Sequence, residues 1–211
     1  MQEIELKSAK MELRKIVKAM LRSVDGDLRD RLSIKAASNF MALAEYKTAD
    51  IVLAFLSMRE ELQTRTLIER GLAEEKLVAV PRMGFSQEHG DFLEFIPLPH
   101  DYATWPLDRF GIPEPPKDAR VLSLEELGRS RVAVAVPGLA FDLRGGRMGR
   151  GKGYYDRFLA SARAAATQYG GSFTACGICF ESQIVEAVPM DPWDQWVDYL
   201  ATEAALRKIS T

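Results

Sequence analysis

Cysteine and histidine, the residues that usually announce a disulfide scaffold or a zinc centre, are nearly missing from these 211 residues. There are two of each: Cys176 and Cys179, His89 and His100. Two cysteines cannot make a disulfide framework. An excess of charge is missing too. Lys plus Arg is 28 and Asp plus Glu is 30, a formal net charge of -2, which argues against a general nucleic-acid coat or a membrane-surface protein but leaves room for a local basic site. Long apolar runs are absent: the longest, such as 51–56, fall far short of the roughly 20 residues that span a bilayer. The opening Met1-Gln2-Glu3-Ile4-Glu5 lacks the apolar core of a signal peptide. No internal repeat or low-complexity segment is visible. The expectation is a cytoplasmic monomer with small-molecule substrates, no nucleic-acid partner and no membrane partner.

What is present is ordinary for a globular protein: 47% hydrophobic and 27% charged residues. At about 150 residues per domain the length favours one domain, 1–211, over two small ones. Leu13, Ile16, Val17, Met20 and Leu21 recur at helical spacing and predict a helix over 6–21. Ser23 to Asp27 breaks it, and a second helix is expected to run to about Tyr46, with Leu32, Ala36, Phe40 and Leu43 on one stripe. Residues 51–56 read as a strand covered on both faces. Thr64 is a plausible N-cap for a helix over 64–74. Residues 77–80 read as a second buried strand, stopped by Pro81. Strands are also expected over 92–96, 132–136, 174–180 and 199–202. The segment 97–117, with six of the ten prolines, reads as an irregular excursion. Ser123-Leu124-Glu125-Glu126 fits a capping box, and 154–169 a helix ended by Gly170-Gly171. Strands alternating with long helices predict a single three-layer α/β/α domain with a mostly parallel sheet, and sites at the carboxyl ends of its strands.

The chemistry concentrates in residues 136–156, where five glycines fall between 145 and 153. They follow a strand and precede a helix. Glycine lets backbone N–H groups approach a ligand, and a helix N-terminus favours anions. Arg147, Arg150 and Lys152 add positive charge at the same place, so the segment describes a phosphate cradle. Gly146-x-x-x-x-Gly151-Lys152 has the Walker spacing, but Gly153 stands where a Ser or Thr hydroxyl would bind Mg²⁺. Gly149-x-Gly151-x-Gly153 is not the dinucleotide fingerprint either. If Mg²⁺ accompanies a nucleotide, Asp156, one turn into the helix, is the nearest carboxylate.

Pro137-Gly138, Ala140, Phe141-Asp142 and the run from Gly145 or Gly146 to Tyr154-Tyr155-Asp156 closely resemble the C-terminal signature of the 5-formyltetrahydrofolate cyclo-ligase family. Ala9-Lys10 with Arg14, residues 56–64, and Val188-Pro189 followed by Asp194 extend the resemblance over nearly the whole chain. It implies that ATP phosphorylates the formyl oxygen of 5-formyltetrahydrofolate, N10 attacks the activated carbon, and phosphate leaves to give 5,10-methenyltetrahydrofolate. It further implies an ATP site of Lys10, Arg14, Arg147, Met148, Gly149, Arg150, Gly151, Lys152, Gly153, Tyr154 and Tyr155. The folate would contact Glu61, Arg150, Gly151, Lys152, Gly153 and Tyr154. Arg150, Lys152 and Glu61 would carry catalysis, and Asp156 and Asp194 would hold Mg²⁺. The family's fold resembles that of sugar-phosphate isomerases and coenzyme A transferases. Two departures stand out: Trp193 where the family often has His, and Met83 where it often has an aromatic residue.

Cys176-Gly177-Ile178-Cys179 looks like a redox motif. Within a strand, a separation of three sends the two side chains to opposite faces, so both read as core residues. His89 and His100 are expected to be exposed and inert. Trp105, Phe110 and Ile112 could cap the core or wall the folate pocket. Two rivals remain open: a sugar-phosphate enzyme on the same fold, separable by ATP binding, and a non-catalytic folate- or nucleotide-binding module, which would release no phosphate.

Overall fold

The N-terminal periodicity forms helix α1 (Gln2–Ser23) in the computed structural model, which describes residues 2–86, 90–109 and 111–210. Helix α2 (Gly26–Met41) is capped by Asp25, whose carboxylate accepts from Leu28 N at 3.1 Å. The single helix expected up to Tyr46 is two: the chain turns at Ala42–Leu43, and α3 covers Ala44–Thr48. The turn places Leu43 and Tyr46 in the core, and that burial outweighs helix continuity. The remaining helices are α4 (Arg65–Ala73), α5 (Leu124–Arg129) and α6 (Tyr154–Tyr169). Helix α5 carries the expected capping box between Ser123 and Glu126.

The strands are β1 (Ile51–Leu53), β2 (Leu77–Ser86), β3 (Gly90–Pro97), β4 (Arg131–Val136), β5 (Ala140–Asp142), β6 (Arg147–Met148), β7 (Ser172–Ile178), β8 (Ile184–Val185), β9 (Tyr199–Ala201) and β10 (Leu206–Lys208). Seven form one sheet in the order β10-β9-β7-β4-β1-β2-β3. Its interior pairs are parallel, and β3 and β10 add antiparallel edges. The short strands β6-β5-β8 form a second sheet. That sheet and β10 had no signal: two or three residues are too few for alternation to show, and they lack the continuous apolar run that marked the equally short β1.

Pro81 does not stop the second strand; β2 continues through it, with Pro81 opposite Phe95. Val78 accepts from Leu98 on the β3 side and Ala79 from Ala54 on the β1 side. Alternation therefore turns Pro81 toward the β1 side, where β1 has already ended, and its missing N–H interrupts no ladder. β1 itself is shorter than the expected 51–56. The strand expected over 174–180 is shifted to Ser172–Ile178.

Helices cover both faces of the sheet. Val52, Ala133, Ala135, Cys176 and Ile178 face the core under α1, α2 and α4, whereas Ile51, Leu53, Val132, Val134 and Val136 face the one under α5 and α6. The two cysteines obey the same alternation. Cys176 lies on the first side and Cys179 on the second, both buried and unpaired, and burial pushes both thiols well above the usual range. In the proline-rich excursion, Trp105 packs on the core and Ile112 lines a cavity of about 480 Å³ beside α4. His100 is exposed. Phe110 and His89 lie outside the described residues.

Candidate active site

Because β1 and β4 are neighbours, the loops leaving their carboxyl ends rise side by side. Together with α1 and the segment before β9 they enclose a cavity of about 710 Å³. Its wall contains Lys10, Arg14, Glu61, every residue from Arg147 to Asp156, and Asp194. The structure thus brings together, around one space, all the residues that the resemblance assigns to ATP, folate and metal.

Each arm is fixed by local chemistry. The β1 loop is clamped by Ser57 and Thr64: Thr64 N donates to Ser57 Oγ at 3.0 Å, and the Thr64 hydroxyl donates to Phe55 O. Thr64 was expected to cap α4 with its side chain; it makes no such cap, because its hydroxyl is spent on the loop. With Leu62 buried beneath, Glu61 points into the cavity. One carboxylate oxygen accepts from Met58 N at 3.0 Å and the other from Arg150 Nη2 at 2.7 Å.

The glycine-rich loop turns on Asp142, which is fully buried. Asp142 accepts from the backbone N–H groups of Arg144 (2.9 Å), Gly146 (2.9 Å) and Val188 (2.8 Å). Three N–H donors, with the Arg144 guanidinium 3.5 Å from Oδ2, stabilise the buried carboxylate. Val188 also ties the cradle to the segment carrying Asp191 and Asp194. Further along, Gly151 and Gly153 take φ of +98° and +66°, conformations that side chains with a Cβ rarely adopt. A Cβ on Gly151 would lie 3.3 Å from the Arg14 guanidinium, whose Nε donates to Gly149 O at 3.1 Å. The positive φ is what calls for glycine there; beside it the flexible Arg14 side chain would have to give only a few tenths of an ångström.

The charges are paired across elements. Arg147, with a side chain only 3% exposed, donates to Asp156 Oδ1 at 2.7 Å. Its guanidinium also lies 5.7 Å from the Tyr155 ring centre. Arg147 Nε and the Tyr155 hydroxyl are buried without a hydrogen-bond partner among the described residues. Burial pushes the Tyr155 phenol up, against the pull of Arg147. Lys10 Nζ sits 2.5 Å from both Asp191 Oδ2 and Asp194 Oδ2. Partial burial opposes its charge, but the two carboxylates outweigh burial and hold its pKa above the ordinary lysine value.

The two carboxylates expected to hold Mg²⁺ are therefore engaged: Asp156 by Arg147 and Gln195 N, Asp194 by Lys10 and Asp191 N. Among the described residues no cluster of three His, Cys, Asp or Glu side chains forms a ready metal site. Sequence reasoning missed two functional residues. Asp142 was quoted in the motif without a role; its signal was an acid four residues before a glycine in a tight turn. Asp191 had no signal beyond its nearness to Asp194.

On the β2–β3 side, Pro81, Met83 and Leu93, with Phe55 and Leu56 of the β1 arm, give the same cavity an apolar lining. One side of the cavity thus suits a polyanion and the other a flat ring. A sequence model of the 5-formyltetrahydrofolate cyclo-ligase family matches residues 6–203. The chain belongs to that family. It is 31% identical over 204 residues to mouse 5-formyltetrahydrofolate cyclo-ligase, covering 96% of this chain and 98% of that one. To the Escherichia coli K12 enzyme of the same name it is 30% identical, covering 85% and 92%. The solution structure of Aquifex aeolicus 5,10-methenyltetrahydrofolate synthetase superimposes with a TM-score of 0.71 at 32% identity, covering 96% and 93%. These likenesses favour neither a sugar-phosphate enzyme nor a non-catalytic module.

Proposed function

We propose that this cavity binds ATP and 5-formyltetrahydrofolate together and converts them to 5,10-methenyltetrahydrofolate, ADP and phosphate. The observation that carries the reading is one cavity lined both by the basic, glycine-rich loop and by apolar residues of β2 and β3, with Glu61 of the β1 loop paired to Arg150. A formyl amide is a poor electrophile, so its oxygen must become a leaving group. The formyl oxygen attacks the γ-phosphorus, the bond to the β-phosphate breaks, and ADP departs. The N10 lone pair then attacks the formyl carbon, N10 loses its proton, and the carbon–oxygen bond breaks as phosphate leaves.

Such a transfer needs positioning and charge neutralisation more than covalent help. Arg147, Arg150, Lys152 and the N–H groups of 148–155 neutralise and orient the phosphates, with Lys10 and Arg14 reaching them from α1. Glu61, Arg150 and residues 151–154 hold the folate. Asp156 and Asp194 offer the hard oxygen donors that Mg²⁺ takes beside phosphate oxygens, so they fit that ion and would hold it. Bound Mg²⁺ supplies charge neutralisation on the phosphates. Asp156→Asn, which leaves the buried Arg147 guanidinium without its carboxylate, is expected to melt several degrees lower, lose most turnover and recover part of that turnover at high Mg²⁺. A variant that turns over like the parent would leave Asp156 as a helix-end acid only.

The direct test mixes protein, 5-formyltetrahydrofolate and MgATP and follows methenyl absorbance with ADP release. Binding of both ligands without phosphate release would overturn the reading. We further read the chain as one domain over 1–211, on a fold like that of sugar-phosphate isomerases and coenzyme A transferases. One sheet that runs from β1 near the start to β10 near the end supports the single domain. A site complete within one chain suits a monomer, and two unpaired buried cysteines suit the reducing cytoplasm.

A further inference from the structure

We propose that Trp193 is the platform for the ATP nucleobase, stacking against it at the far end of the cavity from the folate. The inference rests on the function proposed above and assigns an end of the site that no motif marks. Trp193 is 67% exposed, yet it lines the cavity. An indole left in water beside a charged site offers a flat π face to a flat ligand.

The position of that face follows from α1. Arg14, Lys10 and Leu6 are four residues apart and line the cavity from one helix face. Arg14 meets the glycine loop at Gly149, and Lys10 meets Asp191 and Asp194. Leu6, one turn further, is partly buried in the same wall. From Arg14 to Leu6 the helix rises about 12 Å. A triphosphate beginning at the loop and running along this line passes the two cations and reaches an apolar end. Trp193 lies between Asp191 and Asp194 in sequence, so it stands on this side, by Lys10. The other apolar wall, Pro81, Met83 and Leu93, lies on β2 and β3, toward the β1 loop that bears Glu61. Two apolar ends thus flank one basic centre, one for each substrate's ring.

The test measures binding of ATP, inorganic tripolyphosphate and 5-formyltetrahydrofolate by calorimetry to the full chain, to Trp193→Ala and to Trp193→Phe. Base–aromatic stacking predicts that Trp193→Ala loses about tenfold in ATP affinity. Tripolyphosphate and folate affinities should stay as in the parent, and Trp193→Phe should keep most of the ATP affinity. An indole this exposed contributes little to the core, and unchanged tripolyphosphate binding controls for the fold of either variant. Unchanged ATP affinity in Trp193→Ala overturns the proposal while leaving the function intact. So does an equal loss of ATP and tripolyphosphate, or a loss confined to folate. If the parent itself binds no ATP, the functional reading falls as well.

Discussion

On the basic side of the cavity each of three cations leans on a carboxylate: Lys10 on Asp191 and Asp194, Arg147 on Asp156, and Arg150 on Glu61. On the β2–β3 side of the same cavity, Pro81, Met83 and Leu93 offer carbon, and Met83 is 61% exposed. The paired side keeps three cations close together without their repelling one another apart, and each is already aimed when a polyanion arrives. Binding there is an exchange of partners. The apolar side has nothing to exchange; it contributes area when a ring covers it. Electrostatic pre-organisation supplies rate, whereas covered area supplies affinity alone.

The largest test of this contrast removes the two cations nearest the loop's crest. The double variant Arg150→Ala, Lys152→Ala should lose two charge-assisted contacts of about 1.5–3 kcal/mol each. Taken together that is at least a hundredfold in kcat/KM for ATP. Arg150 and Lys152 are both exposed, so the melting temperature should barely move. Normal ATP kinetics would remove the loop from the phosphate site.

Arg147 should behave in the opposite way, because it is buried. Arg147→Ala leaves Asp156 with Gln195 N alone on its engaged oxygen. Breaking a buried pair costs about 3–5 kcal/mol, and the low end applies because Asp156 keeps some water contact. Thermal melting should drop by about 6 °C or more. A melt like the parent's would mean the pair is not holding the loop to α6.

Glu61 links the two sides, and Glu61→Gln keeps its size while removing its charge. Folate KM should rise about tenfold, the worth of one charge-assisted hydrogen bond, with KM for ATP close to the parent's. A rise in KM for ATP alone would assign Glu61 to the nucleotide instead.

Much of this contrast was written locally. The glycines and cations of 145–153 fall within nine residues, the Ser123 capping box within four, and the cysteine faces follow from parity alone. The apolar runs located the sheet, since a strand buried on both faces needs nothing but carbon. What stayed hidden were choices made between distant segments. Pro81 continues a strand because β1 ends two residues early on its open side. Thr64 gives its hydroxyl to Phe55 and not to the helix it precedes. Lys10 meets Asp191 across 181 residues of chain, and no local pattern encodes such a pairing. Likewise Asp142 looked like one motif letter among many until its three N–H partners were seen to converge.

The smallest expected effect belongs to Met83, and it separates the two sides most cleanly. Met83 sits on β2 opposite Leu93 of β3, its side chain largely in water. Truncating it removes no core contact, so Met83→Ala should melt within about 1 °C of the parent. What it removes is surface that a bound ring would cover. A few tens of Å² at about 25 cal/mol per Å² come to roughly 1 kcal/mol, or about fivefold in folate KM. KM for ATP and kcat should hold, because area that is covered equally before and during the reaction lowers KM without raising kcat. Met83→Tyr should tighten folate, since a rigid aromatic face loses less rotamer freedom than a thioether chain with three rotatable bonds. Steady-state kinetics with one substrate varied at a time read all three quantities. If Met83→Ala raised both KM values together, or lowered kcat, the apolar side would be taking part in the phosphate chemistry, and the division of the cavity into an exchanging side and a covering side would be wrong.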